Sequence, residues 1–220
     1  MRSLWYILLC FLIASQAVNA DNKHPNDPNK LLAAKWDIPI KHPSDPNELL
    51  RAKWDSVVNV LKSKNLDKNT KADIIDEIIS PVFDFALMGK LALGRTNWPK
   101  LNAPQREKFT VLFVKRLKGS YRDKIMLYKD EKVLFQPAMQ NKDTIHIPMT
   151  LISDDTKMAM LYKLHKASES WKVYDVEIEG VSILLTYRSQ FDDILSHGTV
   201  EDLIKQLEKP VNSPMAASHT

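Results

Sequence analysis

The chain has a single cysteine, Cys10, and only five glycines among its 220 residues. One thiol cannot form an internal disulfide, so a folded state must rest on a buried apolar core. So few glycines leave no phosphate-binding loop and no dinucleotide fingerprint. A GxSxG elbow, an HExxH helix and a CxxC pair are missing as well. Beyond the first 20 residues no apolar run approaches the roughly 20 residues needed to span a bilayer. Excess charge is also small: 31 basic against 27 acidic residues give +4. Spread along the chain, that excess does not make a nucleic-acid-binding face. It permits weak attraction to anionic lipid.

What is present starts with a leader. Met1-Arg2 precedes an apolar stretch over residues 4–14, followed by Ser15-Gln16-Ala17-Val18-Asn19-Ala20. A positive start, a short apolar stretch and small residues at Val18 and Ala20 predict a secretory signal cleaved after Ala20. The stretch is too short for a membrane anchor, and Leu9 is not the small residue that a lipoprotein site at Cys10 would need. Cleavage would remove Cys10 and Arg2 and lower the charge to +3, since residues 1–20 hold no Asp or Glu.

A tandem repeat follows. KHPNDPNKLLAAKWD begins at Lys23 and KHPSDPNELLRAKWD at Lys41, with agreement at 12 of 15 positions. That agreement defines a repeated unit, but two copies are too few for a solenoid. His-Pro and Asp-Pro pairs interrupt helices, so each copy reads as a turn followed by a short amphipathic segment. Leu31, Leu32 and Trp36 are echoed by Leu49, Leu50 and Trp54. His24 and His42 lack a matching ligand cluster, and no metal site is expected.

Helical periodicity then runs from Asn47 through Leu50, Trp54, Val57, Val58 and Leu61. A second helix is predicted from about Thr70, with Ile74, Ile75, Ile78 and Ile79 inward and Pro81 breaking it. An apolar segment continues over residues 82–93. Asn102, Pro104 and Gln105 mark a capped start for a third helix carrying Phe109, Leu112, Phe113, Leu117, Tyr121 and Ile125. After Asp130 the period changes to two. Strands are predicted over 132–137, 145–151, 158–166 and 171–178, with Asp154-Asp155 and Ser168-Glu169-Ser170 as turns. Such short connections imply an antiparallel sheet, with Pro148 at an edge or bulge. Helices return after Gly180 and after Gly198. The expected fold class is α+β, a twisted antiparallel sheet of about four strands wrapped by helices. The expected organisation is a signal peptide (1–20), an N-terminal arm with the repeat (21–56), an α+β domain (57–209) and a disordered tail (210–220).

No catalytic constellation emerges, and no enzyme activity or cofactor is expected. His146 and His165 fall in predicted strands without a nucleophile near them in sequence. Asp175, Glu177 and Glu179 alternate along one strand and read as a solvated face. Large apolar side chains are plentiful: Val82, Phe83, Phe85, Leu87, Met88, Leu91 and Leu93 would emerge on more than one side of a helix. Methionines Met149, Met158 and Met160 add side chains able to re-pack around variable ligands. Periodicity alone does not distinguish a filled core from a hollow one.

The segment WKVYDVEIEGVSILLTYRSQF (171–191) resembles the signature of the MlaC family, periplasmic phospholipid carriers also described as toluene-tolerance auxiliary proteins. The likeness extends to Leu93-Gly94, to APQREKF (103–109) and to LKGSYRDKI (117–125), and covers about residues 70–209. The duplicated arm lies outside it. The resemblance implies helices and sheet enclosing a deep apolar pocket for acyl chains, with the headgroup in water. It also implies shuttling of phospholipid between an inner-membrane ABC transporter complex and an outer-membrane lipoprotein–porin complex, by a monomeric protein in the periplasm. Position by position, Tyr121 and Val181 match lipid-pocket residues of the family. Phe83, Met88, Phe113, Leu117, Met149, Leu161 and Ile183 join them on the apolar pattern. A scaffold domain with a filled interior and a small lipid-modifying enzyme are the alternatives.

Overall fold

The computed structural model describes residues 45–128, 131–153, 156–168 and 170–210. The expected signal peptide, the first repeat copy and residues 211–220 lie outside the described residues.

Asp45 caps α1 (Pro46–Lys62), accepting from the Asn47 amide at 2.7 Å, and Pro46 occupies the first turn, where its missing N–H costs nothing. This helix runs across the boundary expected after residue 56, so residues 45–55 of the second repeat copy pack as part of the domain. Leu49 and Leu50 are buried against the sheet. Lower on the same helix, Val57 and Val60 pack on Ile75 of α2 (Lys68–Ile79), which Asp67 caps through the Asn69 and Thr70 amides.

The apolar segment after Pro81 is not one helix. A 3-10 turn (Ser80–Val82) leads to Phe83, which leaves helical geometry and forms a parallel bridge with Val173. Asp84 then caps α3 (Phe85–Asn97) through the Leu87 amide at 2.9 Å. Near its end Gly94 adopts φ 77°, ψ 170°, a left-handed conformation that strains any residue with a Cβ. The break leaves the Leu91 carbonyl free to accept from Arg188. Asn102 and Gln105 form the reciprocal cap expected for α4 (Ala103–Ile125), each side chain accepting from the other's amide at 2.9 Å.

The sheet is open and has six strands rather than four: β1 (Lys132–Phe135), β2 (Met139–Asn141), β3 (Thr144–Ser153), β4 (Thr156–Ala167), β5 (Ser170–Ile178) and β6 (Val181–Ser182). The order is β1-β3-β4-β5-β6, with β2 sharing with β1 one side of β3. The additional strands, β2 and β6, are too short to show a period. Pro148 lies between the stretches of β3 paired with β1 and with β2. Its carbonyl accepts from the Gln136 amide at 2.9 Å, so the N–H that proline lacks would face the gap between those two strands. The chain closes with α5 (Ile183–His197), capped by Ser182, and α6 (Val200–Glu208), which begins with a capping box between Thr199 and Asp202.

Two of the five glycines provide a test. Gly94→Ala should destabilise the domain by about 1–3 kcal/mol through left-handed strain. Gly89 is helical, and a Cβ there meets nothing closer than 3.6 Å, so Gly89→Ala should be neutral or stabilising by up to about 1 kcal/mol. Urea denaturation of the two variants measures both.

Candidate functional site

Two apolar cores meet in this fold. The helical core contains Met88, Leu93, Phe109, Phe113, Leu117, Tyr187, Phe191 and Leu203. In the sheet core Leu49, Leu50 and Val82 lie against Ile147, Leu164, Val173 and Val176. Phe83 and Ile183 pack against both, and they form the seam between helices and sheet.

Six of the nine residues expected to line a lipid pocket gather on the helical side of this seam. Met88, Phe113 and Leu117 are buried within the helical core, and Phe83, Tyr121 and Ile183 pack against it. Burial pushes the Tyr121 phenol far above its ordinary range, with lesser contributions from Tyr187 and Asp175. Met149 is buried on the inner sheet face, opposite Phe135 and Met160. Leu161 does not join them. Its register partners are Pro148 and Glu177, and partners across a ladder share a face, so it sits on the side away from Met149, Met160 and Tyr162. Because β4 carries apolar residues on both faces, alternation alone does not choose between them. Val181 is 59% exposed on the edge strand β6.

Away from the seam, Met88, Phe113 and Met149 are at most 1% exposed, whereas Phe83, Tyr121 and Ile183 are only partly buried. Two clefts open elsewhere on the described surface. One, of about 350 Å³, lies along α4 at Pro104, Glu107, Lys108, Val111 and Leu112. The other, of about 200 Å³, lies beside Lys115, Arg116 and residues 207–210. Neither includes any of the nine residues.

The carboxylates read as a solvated face take a different role. Asp175 is 4% exposed. Its carboxylate accepts from Ser182 Oγ at 2.8 Å and from the Leu184 amide at 3.2 Å, and it pairs with Lys163 Nζ at 3.1 Å. It thereby places negative charge at the N-terminus of α5, the favourable end of the helix dipole. Glu177 also binds Lys163. Burial works against the Lys163 charge, but the hydrogen bonds Lys163 donates to Glu177 and Asp175 outweigh it and hold its pKa above the ordinary lysine value. A register shift between Lys163 and Leu164 pairs Lys163 with Asp175 and Leu164 with Val173, making Tyr174 the extra residue of a bulge. Alternation alone does not reveal a bulge, and this one contributes to Asp175 becoming a buried anchor. His165 shares this face and meets Asp84 at 2.9 Å, while His146 sits opposite Lys163. Both histidines belong to the polar cover of the sheet. Among the described residues no group of three or more His, Cys, Asp or Glu is placed to hold a metal ion, and no helix is long and apolar enough to cross a membrane.

An open antiparallel sheet fastened at one edge to a helical layer, with an apolar seam between them, defines the class of this molecule as a helix-wrapped α+β domain. The model of the MlaC protein family matches residues 51–209, and the chain belongs to that family. One relative, the intermembrane phospholipid transport system binding protein MlaC of Haemophilus influenzae, is 24% identical over 155 residues, spanning 68% of this chain and 72% of the relative. A phospholipid-binding protein of Ralstonia solanacearum, solved in complex with a phospholipid, shares the fold with a TM-score of 0.68. It is 23% identical, and the match covers 78% of this chain and 98% of that one.

Removing the Asp175 carboxylate with Asp175→Ala should cost on the order of 1–3 kcal/mol, because the Ser182 hydroxyl and the Leu184 amide lose their buried acceptor while Lys163 keeps Glu177. Thermal denaturation measures the loss. A second expectation concerns Tyr162, whose phenol burial pushes up from 10.0 to about 12. Its folded pKa lies above its unfolded one, so the associated stability is complete below about pH 10 and falls as pH rises toward 12. Tyr162→Phe should therefore be less sensitive to alkali, retaining about 1 kcal/mol more than the parent near pH 11 relative to neutral pH. Paired urea titrations at the two pH values test this.

Proposed function

We propose that this protein is a soluble periplasmic carrier that holds the acyl chains of a phospholipid at the seam between its helices and its sheet. The observation that carries the reading is the contact of Phe83 and Ile183 with both apolar cores, beside Tyr121, Phe113 and Leu117 on the helical side, in a chain of the MlaC family. The phospholipid-bound relative of the same fold supports it.

Each methylene moved from water to an apolar site contributes about 0.8 kcal/mol. A diacyl lipid with roughly 30 methylenes therefore faces a barrier on the order of 20 kcal/mol to leaving a bilayer unaided. A carrier lowers that barrier by exchanging bilayer hydrocarbon for protein hydrocarbon, with little net transfer energy and so with loading and release both accessible. The two cores part along the seam, and the chains enter between them while the headgroup remains in water. No covalent step is required. Delivery runs between an inner-membrane ABC transporter complex and an outer-membrane lipoprotein–porin complex, after export and removal of residues 1–20.

A second reading, a periplasmic scaffold domain with no ligand, draws on the packed interior around Met88, Phe113 and Met149. Organic extraction of the purified protein followed by mass spectrometry separates the two. The carrier should yield about one equivalent of diacyl phospholipid; protein that purifies empty and takes up none from vesicles would leave the scaffold standing. Val181 provides the point test. Because the side chain is exposed, Val181→Asp should change folding stability by no more than about 0.5 kcal/mol. Lipid recovered from the variant should nevertheless fall at least tenfold.

A further inference from the structure

Residues 45–55, the described part of the second repeat copy, dock like a ligand on the inner sheet face of their own domain, and the contacts are specific. Leu49 and Leu50 insert among Val82, Ile147, Leu164 and Val173. Asn47 Nδ2 donates to the Gln136 carbonyl and Arg51 Nη2 to the Phe135 carbonyl, each at 2.9 Å. The Arg51 guanidinium also lies over the Phe135 ring, 5.0 Å from its centroid. Trp54 meets Tyr128 edge-to-face at 6.1 Å. Together these groups cover the inner sheet face and contact backbone carbonyls at the end of the edge strand β1.

The first copy carries almost the same set. Asp27, Pro28, Asn29, Leu31, Leu32, Ala34, Lys35 and Trp36 stand where the second copy has Asp45, Pro46, Asn47, Leu49, Leu50, Ala52, Lys53 and Trp54. Within the docking segment two positions differ. Ala33 replaces Arg51, losing the bond and the stacking at Phe135, and Lys30 replaces Glu48, placing the wrong sign in the first turn.

We propose that residues 27–37 are an alternative occupant of the groove held by residues 45–55. The exchange slips the chain by one repeat. Residues 38–55 then loop out, and the chain rejoins α1 at Ser56, so that Val57 and Val60 keep their packing on Ile75. The two ends of that loop are adjacent in the docked helix, and prolines at 39, 43 and 46 interrupt helix within it. Closing such a loop disfavours the first copy by on the order of a hundredfold, and the two substitutions add to this, which makes the second copy the resident one. The first copy takes over when the resident is weakened or drawn away, and the sheet face stays covered.

The test uses the full chain in three variants. Leu31→Ala/Leu32→Ala should melt with the parent. Leu49→Ala/Leu50→Ala should melt lower, and hydrogen exchange should then show residues 27–37 newly protected. Combining all four changes should lower the melting temperature by several further degrees, although the first pair alone is silent. Adding Lys30→Glu/Ala33→Arg to Leu49→Ala/Leu50→Ala should recover part of the loss. If the fourfold variant melts together with Leu49→Ala/Leu50→Ala and residues 27–37 stay unprotected, the exchange does not occur. The same holds if Lys30→Glu/Ala33→Arg gives no recovery.

Discussion

The helical layer is fastened to the sheet at strand β5, and the rest of the molecule depends on that attachment. Two connections make it. The first is backbone: Phe83 bridges Val173, and the Asp84 amide donates to the Val173 carbonyl at 2.9 Å. The second is the Asp175 carboxylate, which takes the Ser182 hydroxyl and the Leu184 amide at the start of α5. Each connection ends at the first turn of a helix, α3 in one case and α5 in the other. Those two helices pack on each other, and α3 breaks at Gly94 where Arg188 of α5 reaches the Leu91 carbonyl. Position and direction of the helical core are thus set by a few polar contacts at one strand, while apolar burial supplies the bulk of the stabilisation.

That division bears on how an apolar ligand would be held. A single continuous core opens only by unfolding, because its side chains interlock at crystal-like density. Here the helical and sheet cores are separate clusters that share only a few side chains, Phe83 and Ile183 among them. Parting them with an acyl chain between exchanges one apolar contact for another of similar energy, while the β5 attachment keeps the layers from separating altogether.

Much of the architecture could be read from residue order, and the parts that could not share a cause. Long periodic segments announced themselves: the stripe of Phe109, Phe113 and Leu117, the reciprocal cap of Asn102 and Gln105, and the alternation around Ile147 and Met149. Strands of two or three residues carry no period, which is why β2 and β6 went unseen. The break at Phe83 was hidden because an apolar residue suits a helix and a bridge equally well. Asp175 was misjudged for a similar reason. Its partners, Lys163 and the start of α5, meet it only after β4 and β5 pair with a bulge, and no local pattern encodes that register. Of the nine residues selected by apolar pattern and family likeness, six belong to or border the helical core, while Met149 lies on the sheet, Val181 on its exposed edge and Leu161 on the other face of β4.

The repeat shows the same separation between pattern and placement. As a sequence feature it looks like an appendage, since His-Pro and Asp-Pro interrupt whatever precedes each copy. In three dimensions residues 45–55 of the second copy complete the fold. Leu49 and Leu50 cover a sheet face that would otherwise meet water, and Asn47 and Arg51 satisfy carbonyls at the end of an edge strand, the kind of position that invites pairing with another chain. A segment with both tasks depends on its leucines and its asparagine, and those residues are among the ones common to the two copies. The differences, Lys30 and Ala33 against Glu48 and Arg51, fall where contact strength can be adjusted without changing what is contacted. Duplication of such a segment duplicates a ligand, not a domain. Its consequences then lie in which copy occupies one groove rather than in any new fold.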